Sequence, residues 1–348
     1  MKDRKKEPLR KFGIREFLCF SIILFIIVTL CTCIGSVMIP FRDTLQVFGN
    51  AITGKSQETV KLASSIILPI RLPRVLCVMF VGAALSLSGA VMQGLLKNPL
   101  ADGSTLGISS GASLGAVIAM AFGLVIPGLP FGSTTIMAIL FSFFSLLLIL
   151  SLAYKLDASL STNTILLIGV IFSMFASSFS SLIITFAGEK LKTITFWTMG
   201  SLQGTNYRDA ALLGITLLIC GGLLFGIAQE LNAFAIGEDN ARNIGVDVKR
   251  VKLLVLITVS VLIGVSVSIS GCIGFVGLVT PHMFRRFTGP NHKVLLPVSM
   301  FGGAYFLLAA DLISRTIASP RELPIGVVTS LAGAVSFIYI FYHTRKGQ

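Results

Sequence analysis

Residues 49–56 carry the most specific chemical motif in the sequence, Gly-Asn-Ala-Ile-Thr-Gly-Lys-Ser. The spacing matches the loop G-x-x-x-x-G-K-[ST], whose backbone amides hold nucleotide phosphates. Such a loop needs a buried strand before it and, after it, a helix that points its N-terminus at the phosphate. Here the preceding residues follow an apolar run long enough to cross a membrane, and no second acidic strand for magnesium is predicted. We therefore interpret the match as a coincidence and predict no nucleotide site.

The other nucleophiles and metal ligands form no catalytic or metal-binding set. His282, His292 and His343 have no carboxylate partner in ligand spacing, and no Ser-His-Asp or Cys-His arrangement occurs. The six cysteines lie in apolar stretches without the paired spacing of a zinc site or a disulfide framework. We predict that the chain binds no metal and no cofactor, and that it is not an enzyme by itself.

Asp311 and Arg315 are ionisable residues at the end of an apolar run. Their i, i+4 spacing allows them to pair on one face of a helix. Transporters coupled to protons or ions usually bury several acidic or basic relay residues within their spans. Because few such residues occur here, the sequence disfavours a pump driven by an ion gradient, and any energy the protein uses is expected to come from elsewhere.

The composition requires that these residues be positioned by membrane helices. Hydrophobic residues make up 54% of the 348 residues and charged residues only 12%, whereas soluble domains carry about 25% charged residues. The net charge of +13 could indicate a nucleic-acid partner, but the basic residues lie at the ends of long uncharged windows, as in loops of membrane proteins. We predict a polytopic membrane protein that binds no nucleic acid.

The number of spans follows from the uncharged windows and from the distribution of Lys and Arg. The windows are 17–41, 75–96, 103–154, 158–188, 210–229, 253–284, 294–310 and 323–344. Because a span needs about 20 residues, window 103–154 holds two, hinged near 127–130. Window 253–284 is either one long helix or two short ones broken at Ser270-Gly271.

With two helices in that window and a cytoplasmic N-terminus, the inside loops hold 18 Lys and Arg and the outside loops 10; with one, the split is 15 to 13. The positive-inside rule therefore favours ten spans in a single domain of residues 1–348, with both termini cytoplasmic and 1–16 as a basic cytoplasmic tail. Residues 42–74 and 188–209 are then outside, and 230–252 inside.

The third span carries Gly107, Gly111 and Gly115 at four-residue spacing. This pattern places a flat stripe on one helix face, where a neighbouring backbone can approach closely. The stripe indicates either helix packing or a helix that lines a conduit.

Several blocks of the sequence resemble one family. They include Asn98-Pro99-Leu100-Ala101 and Gly274-Phe275-Val276-Gly277, and they occupy residues 71–74, 82–93, 98–101, 106–109, 197–202, 235–246, 274–282, 310–311 and 322–326. In type and order they resemble the FecCD family, the permease subunits of ABC importers for iron-siderophores, haem and cobalamin. The resemblance covers nearly the whole chain and implies an all-α type II importer permease fold with ten spans per subunit.

The resemblance also implies partners and site residues. Arg71, Arg74 and Arg315 match the arginines that meet acidic residues of an extracellular binding protein; otherwise they would simply anchor span ends. Residues 230–252 match the segment that couples to a cytoplasmic ATPase dimer, in which Gly237 turns between two short helices. The contact residues are expected to be Gly237, Glu238, Asp239, Ala241, Arg242 and Gly245.

A second permease, identical or different, would complete the pore in the cell membrane. The partner ATPase would use ATP, and the cargo would be a ferric siderophore. Haem and cobalamin remain open as alternatives, as does a transporter that works alone on an ion gradient.

Overall fold

The computed structural model describes residues 11–35, 38–53, 60–103, 106–126 and 132–345, and these residues form α-helices and no strand. The helices are α1 Ile14–Cys33, α2 Phe41–Thr53, α3 Lys61–Ile66, α4 Leu72–Leu95, α5 Ile108–Phe122, α6 Ser133–Leu156, α7 Thr162–Thr185, α8 Leu191–Thr198, α9 Tyr207–Gly226, α10 Ala228–Ala235, α11 Glu238–Asn243, α12 Val248–Ser270, α13 Val276–Thr288, α14 His292–Thr316 and α15 Ile325–Arg345. The hinge near 127–130, the end of the 49–56 motif and most of the tail 1–16 lie outside the described residues. The first part of that motif belongs to α2, where a phosphate loop would need a strand to come before it.

Seven of the described helical segments are long and apolar enough to cross a membrane. They are α1, the segment Lys61–Leu95, α6, α7, α9, α12 and α14. Two shorter apolar helices are α5 and Ile325–Tyr339 of α15. The 13-residue helix α13, which ends in Arg285 and Arg286, occupies the remaining position in the predicted order of ten. Helices suit this composition because each helix pairs its own backbone N–H and C=O groups, for which lipid offers no hydrogen-bond partners.

Window 253–284 contains two helices, α12 and α13, and the break lies at Ser270-Gly271 as the sequence allows. Gly271 ends α12 with φ +66°, and a Cβ atom at this position would overlap the carbonyl oxygen of Trp197. The Ser270 carbonyl accepts a hydrogen bond from the Ser201 amide (2.8 Å). The break is therefore fixed by both backbone conformation and packing.

The helix that holds the second predicted span begins earlier than the charge pattern suggests. Arg71 and Arg74 set its start at residue 75 in the charge pattern, but the helical segment runs continuously from Lys61, through a π-helical turn at Ile67–Arg71, into α4. The described parts of segment 42–74 are therefore largely helical. The guanidinium groups do not end the helix because protein oxygens surround them, as described below.

The core lies around α4, which packs against α14, α13, α9 and α12. In its apolar window 78% of residues are buried, against 22% in α1 and α7, so α4 is interior and α1 and α7 are peripheral. Gly89 in α4 faces Gly277 in α13 so closely that a Cβ atom on Gly89 would overlap the Gly277 carbonyl. This backbone contact brings α13 against the centre of the bundle.

Candidate functional site

A cavity of about 400 Å³ lies among α5, α7, α12 and the α12–α13 break, and hydroxyl groups dominate its polar lining. The hydroxyl residues are Ser109, Ser110, Ser113, Ser177, Ser180, Ser181 and Thr198. Asp102 is the one charged residue along the described lining, and the rest is apolar or glycine apart from Cys272. Such a surface can exchange hydrogen bonds with a polar cargo but offers no cation to hold an anion. We call it the hydroxyl cavity.

The glycine stripe faces away from this cavity. A Cβ atom on Gly111 would contact the Ser145 side chain, and one on Gly115 would overlap the Met137 carbonyl, so both glycines bring α5 against α6. Gly107 is not within the helix but is the residue before it, with φ +75°. The residues of α5 that line the hydroxyl cavity are serines, which the glycine pattern did not identify.

Four charged side chains meet where α4, α14 and the segment before α15 come together. Asp311 is completely buried. Its Oδ1 accepts hydrogen bonds from Arg74 Nη2 (2.9 Å) and Nε (3.1 Å), and its Oδ2 lies 2.8 Å from Arg315 Nε. Arg74 Nη1 also donates to Glu322 Oε2 (2.8 Å). The i, i+4 pair of Asp311 and Arg315 is thus present, and Arg74, 237 residues earlier in the chain, shares the carboxylate.

The arginines also hold the end of α1. Arg71 Nη1 donates to the Thr32 and Cys33 carbonyls (2.9 and 2.8 Å). Arg315 donates to the Cys31 and Ile34 carbonyls (3.0 and 3.2 Å). The last carbonyls of a helix lack intrahelical partners and carry partial negative charge, so guanidinium groups stabilise them. We call Arg71, Arg74, Asp311, Arg315 and Glu322 the arginine cluster; its three arginines are 5–8% exposed.

Residues 228–243 form the two short helices expected in the coupling segment, α10 and α11. Gly237 joins them with φ +123°, a conformation that side chains rarely adopt. Beyond the turn, the side chains of Asp239 and Arg242 are 97% and 57% exposed.

Two large apolar residues, Ile236 and Ile244, are also exposed, at 61% and 63%. Gly245 is exposed as well, whereas Ala241 is fully buried and holds α11 on the bundle. An apolar centre with charged neighbours resembles a protein-contact surface. Ala241 was expected to contact the ATPase, but because it is buried it packs α11 against the bundle instead.

Glu238 differs from its neighbours because it faces inward. Its Oε2 lies 2.8 Å from Nζ of Lys252, a lysine that is only 1% exposed. Sequence reasoning does not find this pair, because its members are 14 residues apart with a helix break between them. Lys252 is recognisable only as the charge that closes window 253–284.

The nearby turn between α6 and α7, residues 157–161, is organised by Asp157. Its Oδ1 accepts from the Ser159 hydroxyl (2.6 Å) and amide (2.9 Å), and its Oδ2 accepts from the Ser161 amide (3.1 Å). Hydrogen bonds from Ser159 and Ser161 hold the pKa of the Asp157 carboxyl well below its usual range.

Comparison with solved structures shows which class of protein has this fold. The chain is similar to an ABC transporter assigned to the metal-chelate type and solved in an inward-facing conformation, with a TM-score of 0.82 and 31% identity over 95% of this chain and all of that one. It is 43% identical to the uncharacterized ABC transporter permease protein YvrB of Bacillus subtilis, over 95% of this chain and 93% of the relative. The all-α bundle is therefore a multi-pass permease subunit of an ABC importer.

The family follows from a second comparison. The profile of the FecCD transport family matches residues 22–343, and the chain belongs to that family.

Two further relatives are named for different cargoes. The chain is 37% identical to the cobalamin import permease BtuC of Halobacterium salinarum, over 80% of this chain and 73% of the relative. It is 36% identical to the molybdate import permease MolB of Haemophilus influenzae, over 83% and 85% of the two chains.

Proposed function

We propose that this permease forms half of a dimeric pore that passes a ferric siderophore into the cell, with ATP hydrolysis on separate cytoplasmic subunits. The observation that carries the proposal is the pairing of the hydroxyl cavity with the projecting α10–α11 segment. The first accommodates cargo, and the second offers an ATPase a contact surface. In this proposal both termini are cytoplasmic, and the chain itself hydrolyses nothing.

The cavity lining supports a bulky chelate over a small oxyanion. A site for an oxyanion such as molybdate would be expected to hold cationic side chains or several converging amides. The described lining instead provides hydroxyls and apolar surface, with a single carboxylate at Asp102. A siderophore complex shields its iron and presents carbonyl and amide groups, which hydroxyls can contact weakly and release. Haem and cobalamin are bulky too, so the experiment must include them.

Uptake into proteoliposomes tests this function. The permease is reconstituted with its cognate ATPase and binding protein and offered ferric hydroxamate, haemin, cyanocobalamin or molybdate, each labelled. We expect uptake of the ferric hydroxamate that requires ATP, stops with a non-hydrolysable analogue and survives an uncoupler. Uptake of another cargo would replace the siderophore assignment, and uptake by the permease alone along a proton gradient would overturn the ATP-driven mechanism.

We also propose that the arginine cluster receives acidic residues of the binding protein. A guanidinium presents a rigid pair of donors to a carboxylate, so a few such pairs fix the docking register. Since each arginine is at most 8% exposed and engaged internally, a docking carboxylate would have to exchange with Glu322, whose side chain is 31% exposed, or with an α1 carbonyl.

Charge reversal tests the docking role. We expect Arg71→Glu, Arg74→Glu and Arg315→Glu to weaken binding of the binding protein while association with the ATPase remains. Lys192→Glu is the control, because Lys192 is exposed and lies in the other predicted outside segment, 188–209. Unchanged docking in all three variants, or an equal loss in the control, would refute the assignment.

A further inference from the structure

Lys252 is a buried charge that packing alone does not explain. Lysine is almost never fully buried unless it is paired, and this one is 1% exposed at the start of α12. Its Nζ donates to Glu238 Oε2 (2.8 Å) and to the Leu160 carbonyl (3.0 Å). A buried ion pair is weak evidence for stability, because well-packed apolar residues often serve as well. The position of the Lys252–Glu238 pair between separate elements is therefore more informative than its contribution to stability.

The pair joins three separate elements. Glu238 is the first residue of α11, Lys252 lies in α12, and Leu160 belongs to the 157–161 turn. Leu160 holds φ +52°, an unusual value for a leucine. The other Glu238 oxygen, Oε1, lies 3.4 Å from the Thr162 hydroxyl at the start of α7. One carboxylate thus contacts α12 and α7 at once.

Both of these helices lead to the hydroxyl cavity. From Thr162, α7 continues to Ser177, Ser180 and Ser181, and from Lys252, α12 continues to Ile263, all of which line the cavity. Fifteen residues separate Thr162 from Ser177, which is about 22 Å along a helix. On the other side of the pair, the exposed residues of α11 follow Glu238 directly.

We propose that Lys252 and Glu238 form a mechanical link that makes α11, the 157–161 turn and the starts of α7 and α12 move as one body. A displacement of the exposed face of α11 then moves the cavity-lining helices α7 and α12 by the same amount. In this role Lys252 is a positioning residue, since it touches neither cargo nor nucleotide. The inference rests on the proposed function, because it assumes that an ATPase acts on α11.

The ratio of uptake to ATP hydrolysis tests the link. In the complete reconstituted complex, we expect Lys252→Met to keep ATP hydrolysis within about twofold of the unmodified complex. Uptake per ATP should fall roughly tenfold, within the usual range of coupling between sites. The control is Lys249→Met, which removes an exposed lysine one turn earlier in α12. If uptake per ATP is unchanged, or if hydrolysis and uptake fall in equal proportion, the pair is merely structural and the proposal is wrong.

A distance measurement tests the same link without any cargo. Spin labels are placed by Ala158→Cys and Asn243→Cys, both exposed positions, one in the turn and one in α11. In the complex without further changes, we expect the label separation to be the same with ATP and with ADP. With Lys252→Met, it should differ between nucleotides or broaden. The proposal is wrong if the separation changes with nucleotide in the complex that keeps Lys252. It is also wrong if the separation stays the same in the Lys252→Met complex. Failure to transport any of the four cargoes would instead count against the proposed function and leave this readout intact.

Discussion

Replacement of Asp311 by asparagine should destabilise the permease strongly, because two guanidinium groups depend on this carboxylate. Asp311 is 0% exposed, and the side chains of Arg74 and Arg315 are 10% and 5% exposed. Asparagine preserves the size of the side chain but leaves both arginines without their shared counter-ion. Loss of one partner from a buried ion pair costs about 3–5 kcal/mol. We expect the lower end, since Arg74 keeps Glu322 and Arg315 keeps the α1 carbonyls.

A loss of about 3 kcal/mol corresponds to a fall in unfolding temperature of roughly 4 °C for a chain of this size. The assay is thermal unfolding of the detergent-solubilised permease, followed by the fluorescence of its single tryptophan, Trp197. Glu322→Gln is the comparison, because this side chain is 31% exposed and contacts one arginine. Its loss should cost about 1 kcal/mol or less.

The double variant Asp311→Asn with Arg315→Met provides an internal check. Once the carboxylate is neutral, removal of one unpaired guanidinium should recover part of the loss, so the two substitutions should not be additive. Equal shifts for Asp311→Asn and Glu322→Gln, or additive effects in the double variant, would refute the reasoning that Asp311 is the shared counter-ion.

Three further predictions concern packing, the α6–α7 turn and coupling. Gly89→Ala should lower the yield of folded permease, measured by size-exclusion chromatography, because the new methyl group would overlap the Gly277 carbonyl, whereas Gly222→Ala, where nothing lies nearby, should not. The pKa of Asp157 is lowered in the folded chain, so this carboxylate should stabilise the fold fully above its ordinary pKa. That stabilisation should be lost only as the pH falls through the lower pKa of the folded state. The unfolding temperatures of Asp157→Asn and the unmodified chain should therefore differ at pH 7 and converge in strong acid. Gly237→Val should uncouple ATP hydrolysis from uptake because the turn requires φ +123°, and normal coupled uptake would count against the role of this turn.

The sequence predicted the framework because hydropathy and charge bias act over whole helices. The order of the helices and the break at Ser270-Gly271 follow from the apolar windows and the distribution of Lys and Arg along the chain, whereas the pair of short helices around Gly237 was expected only from the resemblance to the FecCD family. Asp311 and Arg315 were also recognisable as partners, because one helical turn separates them.

Long-range contacts were not predictable in this way. Arg74 and Asp311 are far apart in sequence, and only the packing of α4 against α14 brings them together. Because charge was used to mark span ends, the sequence did not predict that the helix holding the second span starts before Arg71 and Arg74: protein oxygens allow these arginines to remain within a helical segment. Similarly, the spacing of the glycines near α5 indicated close helix packing. The serines that line the cavity do not follow a regular spacing, so the sequence does not distinguish them from other small residues in the span.

In the proposed mechanism the α10–α11 segment lies in the cytoplasm and receives an ATPase. Thiol labelling can locate this segment, with Asn243→Cys in α11 on a background in which exposed Cys19 is replaced by serine. We expect a membrane-impermeant maleimide to label this position in inside-out vesicles but not in right-side-out vesicles, and the bound ATPase to protect it. Labelling in right-side-out vesicles would place the segment outside and contradict the account.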